Sequence, residues 1–367
     1  MTPPRKTIPE KACGNILVSW ADIFLATFYA EHCKKHPGAN LPSFPVSAQG
    51  SLRHKVCQVS LCDALIAYAP DSGSVAEHLL HSIFGSKAMK NLENLQICGI
   101  PDYFKTLCLK PEFPARFEKY CRGWLHGLLI PLSKKQNFST LTTSQLNQMI
   151  NQKTRCLSRD GYRCPVTGSY DRSKLQLPQS VQTIVTLDLT HIIPLQILTN
   201  PLLQKYFRIF TGLPLSHVRA SSLNHPRNAL VLEANAHRDF VSYNWGITTL
   251  NMEAFANTIY DDPSKPSVKF KAEKTGAGPI SFKIPNKLLS FGAGKRSIEL
   301  PDQESLAFHL AVGKVLHESG VGETLASCLR EIEILRARGE WADEAEDVFD
   351  QLENSLVVAA AGSFVVR

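Results

Sequence analysis

The sequence predicts an α+β protein, and three observations carry this prediction. Apolar residues recur at three- and four-residue spacing over residues 114–129, as expected for a helix with one buried face. Residues 185–240 read in order as strand, strand and helix. Within residues 268–284, two segments alternate apolar and polar residues on either side of a Gly-bearing turn, which predicts a β-hairpin. We therefore expect a strand-strand-helix core between a mainly helical N-terminal region and a hairpin-plus-helix C-terminal region.

Residues 1–140 form the predicted helical N-terminal region. Its apolar run 15–30 is short for a membrane span and contains Asp22, so a buried helix or strand explains it better. Val75–Phe84 and Pro114–Leu129 are predicted helices, the second with a proline at a favourable first position. No pattern typical of catalysis occurs in this region, and the sequence leaves its role open.

Two further segments follow. A polar run over 133–139 predicts a linker, and the second segment, 141–260, opens with a helix that Gly161 ends. The third segment, 261–367, contains the predicted hairpin and a helix from Leu300 to Gly320. Three predicted domains result, with boundaries near residues 140 and 260.

The charge of the chain is concentrated in the second segment. The formal net charge of the 367 residues is +7. Residues 151–245 alone contain eleven Lys and Arg against five Asp and Glu, a net +6. Such a basic segment favours a polyanionic partner such as nucleic acid, and a solvated surface without a partner is the alternative.

The ten cysteines are scattered and include no C-x2-C pair. In a chain of this length this usage predicts reduced thiols, mostly in the core, and no secreted disulfide framework. No signal peptide or transmembrane segment is recognised, so we expect a nuclear or cytoplasmic protein with no membrane partner. A cysteine-dependent enzyme finds no support because no Cys belongs to an identifiable Cys/His pair.

Three short pieces of the basic segment share one chemistry. They are RDGYRCPVTG at 159–168, a β-branched run at 185–194 that ends in HIIP, and an apolar start with a helical continuation at 228–240. Hydrolysis of a phosphodiester needs a group that takes a proton from water and a divalent ion at the phosphate. Imidazole titrates near neutral pH and also binds metal ions.

We assign roles to the polar side chains of these pieces on that basis. His191 is the predicted general base and His237 a metal ligand, while Asn228 braces the loop or the base through its amide. A single histidine among aliphatic residues is more often a packed residue. The flanking turn and the nine-residue spacing from Asn228 to His237 favour a site.

These residues resemble the HNH endonucleases with the ββα-metal fold, and more closely their fungal branch. His191, Asn228 and His237 supply the H, N and H of the family name, and the resemblance covers about residues 145–250. It implies a metal-dependent endonuclease that hydrolyses DNA phosphodiester bonds, cuts one strand per site and leaves a 5′-phosphate. It also implies one divalent ion, with Mg²⁺ as first candidate and Mn²⁺, Ni²⁺ or Zn²⁺ as alternatives.

The sequence departs from the family pattern in three ways. Thr190 stands where many members have an Asp or His metal ligand, and Asp188, two residues earlier on the same strand face, is the predicted substitute. The paired-cysteine zinc knuckle is absent, since Cys164 is the one thiol left, so no structural zinc is expected. About 36 residues separate His191 from Asn228, an insertion predicted to hold a helix.

Four arginines are predicted to contact phosphate, namely Arg159, Arg163, Arg227 and Arg238. Sequence selectivity and oligomeric state are not readable from these patterns. The alternative function is a catalytically degenerate HNH-fold module that binds nucleic acid or a protein partner without cleavage, because Thr190 removes a ligand.

Overall fold

The structure is a computed structural model that describes residues 10–35, 43–45, 55–95, 99–133, 142–174, 176, 183–250, 269–276, 280–282, 288–289, 291–295 and 297–337. The α-helices are α1 (Glu10–Lys35), α2 (Gln58–Tyr68), α3 (Ser72–Leu92), α4 (Ile100–Cys108), α5 (Phe113–Trp124), α6 (Ile130–Ser133), α7 (Thr143–Arg159), α8 (Pro201–Thr211), α9 (Ala220–Leu223), α10 (Ala234–Val241), α11 (Gln303–Glu318) and α12 (Val321–Ala337). The strands are β1 (Ser43–Pro45), β2 (Lys55–Cys57), β3 (Tyr170–Asp171), β4 (Ile184–Val185), β5 (Asp188–His191), β6 (Ala229–Leu232), β7 (Trp245–Leu250) and β8 (Lys269–Lys274). A helix-rich chain with small two-stranded sheets is compatible with the predicted α+β class.

Several helices lie where the apolar spacing and the glycines of the sequence predicted them. Helix α7 covers the predicted segment and stops before Gly161, whose φ of +66° is the left-handed conformation that glycine adopts readily. Helix α11 ends before Gly320 in the same way, with φ +72°. Helix α5 has Pro114 in its first turn and continues into a π-helical turn, Leu125–Leu129. In the insertion after His191, α8 is the predicted helix.

The chain divides into two compact units. Unit 1 comprises 1–131, 205–212 and 315–367, and unit 2 comprises 132–204 and 213–314. Three predicted domains with boundaries near 140 and 260 stay a prediction. No helix in the described part of the chain is both long and apolar enough to cross a bilayer. Residues 134–139 of the predicted linker lie outside the described residues.

The core of unit 1 is built on aromatic side chains. The ring of Phe24 on α1 is fully buried, and its centroid lies 5.1 Å from that of Phe84 and 5.7 Å from that of Phe104. Phe113 and Phe117 on α5 lie at 6.0 and 5.8 Å. Offset and edge-to-face contacts at these distances add to the stabilisation that burial provides. The apolar segment 15–30, predicted as a buried helix or strand, belongs to α1 and contributes Phe24 to this core.

In unit 2, β5 and β6 form an antiparallel pair in which Asp188 lies opposite Leu232 and His191 opposite Ala229. All four residues of β6 are fully buried, because α7 and α10 both pack against the pair. Helix α10 begins two residues after β6, with Glu233 as its N-cap. Between residues 188 and 241 the order of strands and α-helices is β5, α8, α9, β6 and α10.

The run 185–193, predicted as one strand, is two. Ile184–Val185 pairs in parallel with β3, whereas β5 pairs with β6. The break lies at Leu187, whose backbone N–H donates to the carboxylate of Asp171 over 2.8 Å. That carboxylate also accepts a hydrogen bond from the backbone N–H of Ser173. At Leu187, a side-chain acceptor thus takes the place of a backbone carbonyl from a neighbouring strand.

The predicted β-hairpin within residues 268–284 is wrong for the described residues, because its first strand pairs with a different segment. Strand β8 pairs with β7, and residues 280–282 form no strand. This pairing buries Trp245 and Ile247 of β7 together with Phe270 and Ala272 of β8. Burial of apolar area outweighs the local turn signal, which concerns only neighbouring segments. Residues 277–279 and 283–287 of the predicted hairpin lie outside the described residues.

Helix α11 holds the end of α10 through His309. This imidazole is 2% exposed, and its ring stacks on Phe240 at 3.7 Å and on Tyr243 at 4.6 Å between centroids. Its Nε2 lies 3.1 Å from the Phe240 carbonyl oxygen. Burial lowers the pKa of His309 to about 3, so the ring is neutral at ordinary pH.

We expect His309 to make the protein less stable in mild acid. An unfolded histidine with a pKa near 6.5 binds more protons than the folded one, so the free energy of unfolding falls as pH drops from 7 to 5, by about 2 kcal/mol for this residue. His309→Phe, which can still stack, should reduce that pH dependence. Urea unfolding at pH 7, 6 and 5 measures it, with His317→Phe on the same helix as control. An unchanged pH dependence in His309→Phe would contradict the prediction.

Candidate active site

His191 is the last residue of β5, and its side chain is 7% exposed. Its Nε2 lies 3.0 Å from Oε1 of Gln152 on α7. Burial lowers the pKa of His191 to about 4, and no charged neighbour contributes to this shift. The imidazole is therefore neutral at pH 7, the state in which it can accept a proton.

Gln152 is a site residue that sequence reasoning missed. Its side chain is 2% exposed, and its Nε2 donates to the carbonyl oxygens of His225 at 2.9 Å and Leu223 at 3.4 Å. A signal was present: Gln152 shares a helix face with Cys156 and Arg159, at helical spacing from both. A polar residue on the inward face of a helix is expected to have a buried partner.

Asn228 braces the loop that follows His191. Its Oδ1 accepts from the backbone N–H of Ile193 at 2.8 Å, and its Nδ2 donates to the Ile193 carbonyl at 2.9 Å. Its backbone carbonyl accepts from Ile192 N at 2.9 Å. Nδ2 also donates to the Leu223 carbonyl at 3.1 Å. Of the two bracing targets expected from the sequence, the loop is the one that Asn228 contacts.

The charge of Asp188 acts on His237, although no ion pair within 4.0 Å joins the two side chains among the described residues. His237 is half-buried on α10, and burial lowers its pKa, while the carboxylate of Asp188 opposes that shift. The two side chains come from opposite ends of the 188–241 segment and supply one oxygen and one nitrogen donor. Thr190, between Asp188 and His191, is 3% exposed.

The predicted site residues therefore interact with two different helices. Asp188 lies near His237 of α10, while the His191 imidazole contacts Gln152 of α7. Within the described part of the chain, no hydrogen bond or charge interaction joins His191 to either Asp188 or His237. Alternation along β5 explains this, since residues three apart on a strand point to opposite faces.

Arg159 corrects one of the predicted phosphate contacts. Its side chain is fully buried, and it makes two bonds to the carboxylate of Asp160, at 3.0 and 2.8 Å. The guanidinium also donates to the carbonyls of Pro226 at 2.8 Å and Ala229 at 3.1 Å. A side chain without solvent contact is not available to a phosphate, because burial of its charge already requires these partners.

The other three predicted arginines are exposed. Arg163 donates to the Gly168 carbonyl at 3.0 Å, inside the turn of the RDGYRCPVTG piece. Arg238 on α10 donates to the Asn235 side chain at 2.8 Å, and Arg227 is paired with Asp302 at 2.7 Å. Phosphate contact by these residues remains a prediction.

A cavity of about 400 Å³ lies in unit 2 beside Asn228. His217 and Asp302 line it and, with Glu304, place three ligand-type atoms within 4.8 Å of one another. Arg227 occupies one carboxylate oxygen of Asp302, so a cation at this cluster would compete with a guanidinium. No sequence pattern indicates this group, because His217 lies more than 80 residues before Asp302 and Glu304 in the chain.

The turn of the first piece has no metal-site geometry. Cys164 is 1% exposed, and its thiol accepts from Thr167 N at 3.5 Å. Gly168 closes the turn with φ +82°, and its N–H donates to the Cys164 carbonyl. Cys164 is thus a packed thiol in a tight turn.

Comparison with known families decides the family of this segment. Residues 164–248 match the family model described as HNH endonuclease. This segment is similar to an HNH endonuclease domain. The match includes β5, β6 and α10 and covers less than a quarter of the chain, and it indicates a nuclease-type function with a nucleic acid substrate. No curated protein and no solved structure matches the chain. The closer likeness to the fungal branch stays a prediction.

Removal of Arg159 should destabilise the HNH domain strongly. Arg159→Met leaves the carboxylate of Asp160 buried without its partner, and we expect a loss of about 3–5 kcal/mol in the free energy of unfolding. Adding Asp160→Asn should recover part of this loss. Arg155→Met, on the same helix but with a 43% exposed side chain, should cost less than about 1 kcal/mol. Urea unfolding compares the variants; equal losses for Arg159→Met and Arg155→Met would contradict the prediction.

Proposed function

We propose that the protein is a metal-dependent HNH endonuclease that hydrolyses DNA phosphodiester bonds with a ββα-metal core made of β5, β6 and α10. The observation that carries the proposal is the match of residues 164–248 to the family, in which β5 ends at a neutral His191 and begins at Asp188, whose charge acts on His237. Metal-assisted hydrolysis uses a base and ion ligands of these types.

His191 is the general base in this proposal. A neutral imidazole accepts a proton from the attacking water, and burial keeps His191 neutral at pH 7. Asn228 keeps the chain after the base in place through its three bonds to Ile192 and Ile193. His191 therefore lies at the junction of β5 and the loop after it, and neither can shift without breaking hydrogen bonds.

Asp188 and His237 are the proposed ligands of one divalent ion. A carboxylate oxygen and an imidazole nitrogen from two adjacent elements suit such an ion, with Mg²⁺ first and Mn²⁺, Ni²⁺ or Zn²⁺ as alternatives. The ion would stabilise the charge that develops on the phosphate and the leaving oxygen. Two protein ligands leave coordination positions for water and phosphate oxygens, as in other phosphate-processing sites.

The exposed arginines of the HNH domain support a nucleic acid substrate. Arg163, Arg227 and Arg238 lie within or beside the matched segment, and the surrounding residues carry a net positive charge. Such contacts position a nuclease on the backbone without selecting a sequence. DNA as the substrate, and a nuclear or cytoplasmic location, belong to the proposal.

A second candidate is a degenerate HNH module that binds nucleic acid or a protein without cleavage. Two observations favour it: Thr190 occupies a ligand position of the family pattern, and His191 is only 7% exposed. The cleavage experiment separates the two candidates.

Purified protein should nick supercoiled plasmid in the presence of Mg²⁺, Mn²⁺ or Ni²⁺ and leave 5′-phosphate ends. His191→Ala should lower the rate by about 10²-fold or more, because the proton acceptor is lost. His81→Ala, at an exposed position of unit 1, is the control and should cut like wild type. Plasmid that stays intact with every metal, while gel shifts persist, would establish the binding module instead.

The exposed arginines should set the salt dependence of DNA binding. With the His191→Ala protein, the logarithm of the binding constant should fall linearly with the logarithm of salt concentration. Combining Arg163→Ala with Arg238→Ala should reduce the slope by about 2, since each lost phosphate contact removes about 0.9. Lys119→Ala, an exposed change in unit 1, serves as control. An unchanged slope would remove both arginines from the interface.

A further inference from the structure

The orientation of the Gln152 amide is decided by its surroundings. Its Nε2 points at the carbonyl oxygens of His225 and Leu223, which can only accept hydrogen bonds. A rotation of the amide by 180° would place Oε1 against both carbonyls in a position that is 2% exposed. Such a rotation would leave buried groups without donors, so Oε1 is the atom that faces His191.

This orientation sets the proton on the imidazole. Oε1 of Gln152 accepts, so Nε2 of His191, 3.0 Å away, donates and carries the proton. A neutral imidazole has a proton on one nitrogen only, and therefore Nδ1 holds the lone pair. In the described part of the chain, the buried side-chain atoms without a hydrogen-bond partner belong to His78, Tyr120, Trp124 and His309. Nδ1 of His191 is not one of these atoms.

We infer that Gln152 is a positioning residue of the nuclease site, which holds His191 as the Nε2–H tautomer and leaves Nδ1 as the nitrogen that takes the proton from water. The catalytic part of this inference rests on the proposed function. The tautomer is a property of the fold and is measured without activity.

The inference joins Gln152 to Asn228. Both amides donate to the carbonyl oxygen of Leu223, at 3.4 and 3.1 Å. One amide then orients the ring of His191, and the other holds the backbone of Ile193 two residues later. Outer partners of this kind typically contribute on the order of 10- to 100-fold to the activity of the group they orient.

The test is NMR of protein labelled with ¹⁵N-histidine, in which the two ring nitrogens report which one carries the proton. The wild type at pH 7 should show His191 as the Nε2–H tautomer, with the signal assigned from its loss in His191→Asn. Gln152→Met, of similar size but without polar atoms, removes the acceptor of Nε2–H and should lower the population of the Nε2–H tautomer. In Gln152→Glu, burial favours the neutral carboxyl group, whose O–H donates to a carbonyl oxygen while its other oxygen accepts from Nε2, so this variant should retain the wild-type tautomer.

The same variants are compared in the cleavage assay. Gln152→Met should lower kcat on the order of 10- to 100-fold with little change in KM, and Gln152→Glu should retain more of the activity. Gln148→Met is the matched control, since Gln148 is exposed on the same helix and bonds Asn224 at 3.2 Å. It should leave both tautomer and kcat unchanged.

Two results overturn the inference: an Nδ1–H tautomer in the wild type, or a Gln152→Met protein with wild-type tautomer and kcat. If Gln152→Met does not fold, the wild-type tautomer and the Gln152→Glu spectrum decide. If the wild type does not cut DNA, the proposed function fails, while the spectra still decide whether Gln152 orients the ring.

Discussion

The site depends on the buried ion pair of Arg159 and Asp160. A guanidinium and a carboxylate with no solvent contact must find all their partners inside the protein. The pair finds them on three segments: Arg159 donates to the carbonyls of Pro226 and Ala229, and Asp160 accepts from Gly292 N. These bonds hold the end of α7 against the start of β6. Any shift of the helix along the strand would break the bonds from the buried guanidinium to these carbonyl oxygens, where no water can replace them.

This constraint reaches His191, the proposed base, through α7. Gln152 lies two turns before Arg159, on the same face of the helix, so the position that suits the guanidinium also brings the amide to His191. The opposite face of β5 meets α10, where Asp188 lies near His237. Helix α7 thus contacts the imidazole of His191 through Gln152, whereas α10 carries the proposed metal ligand His237. His309 stabilises that second helix by stacking on its last turn.

The candidate site was predictable where a role depends on neighbours in the sequence. The end of α7 before Gly161, a strand that contains His191 and a helix that contains His237 follow from local patterns, and the structure has these elements. Where a role depends on distant partners, prediction failed. Arg159 was predicted to contact phosphate because it lies in a basic segment, but its side chain is buried in an ion pair. Gln152 is buried as well and belongs to no recognised motif. Strand β8 pairs with β7 because that pairing buries Trp245, which no nearby turn signal indicates.

The sequence by itself indicated the α+β class and the segment that matches the HNH endonuclease model. Periodicity, caps and short spacings express themselves within a few residues of chain, and they need no knowledge of the partner. Only the tertiary structure decided which way each side chain points and what it meets. The acceptors of Gln152 and Arg159 lie about 70 residues further along the chain, and burial turned one arginine inward while three stayed exposed. Desolvation and hydrogen-bond satisfaction act on residues that meet in space, whatever their separation in sequence.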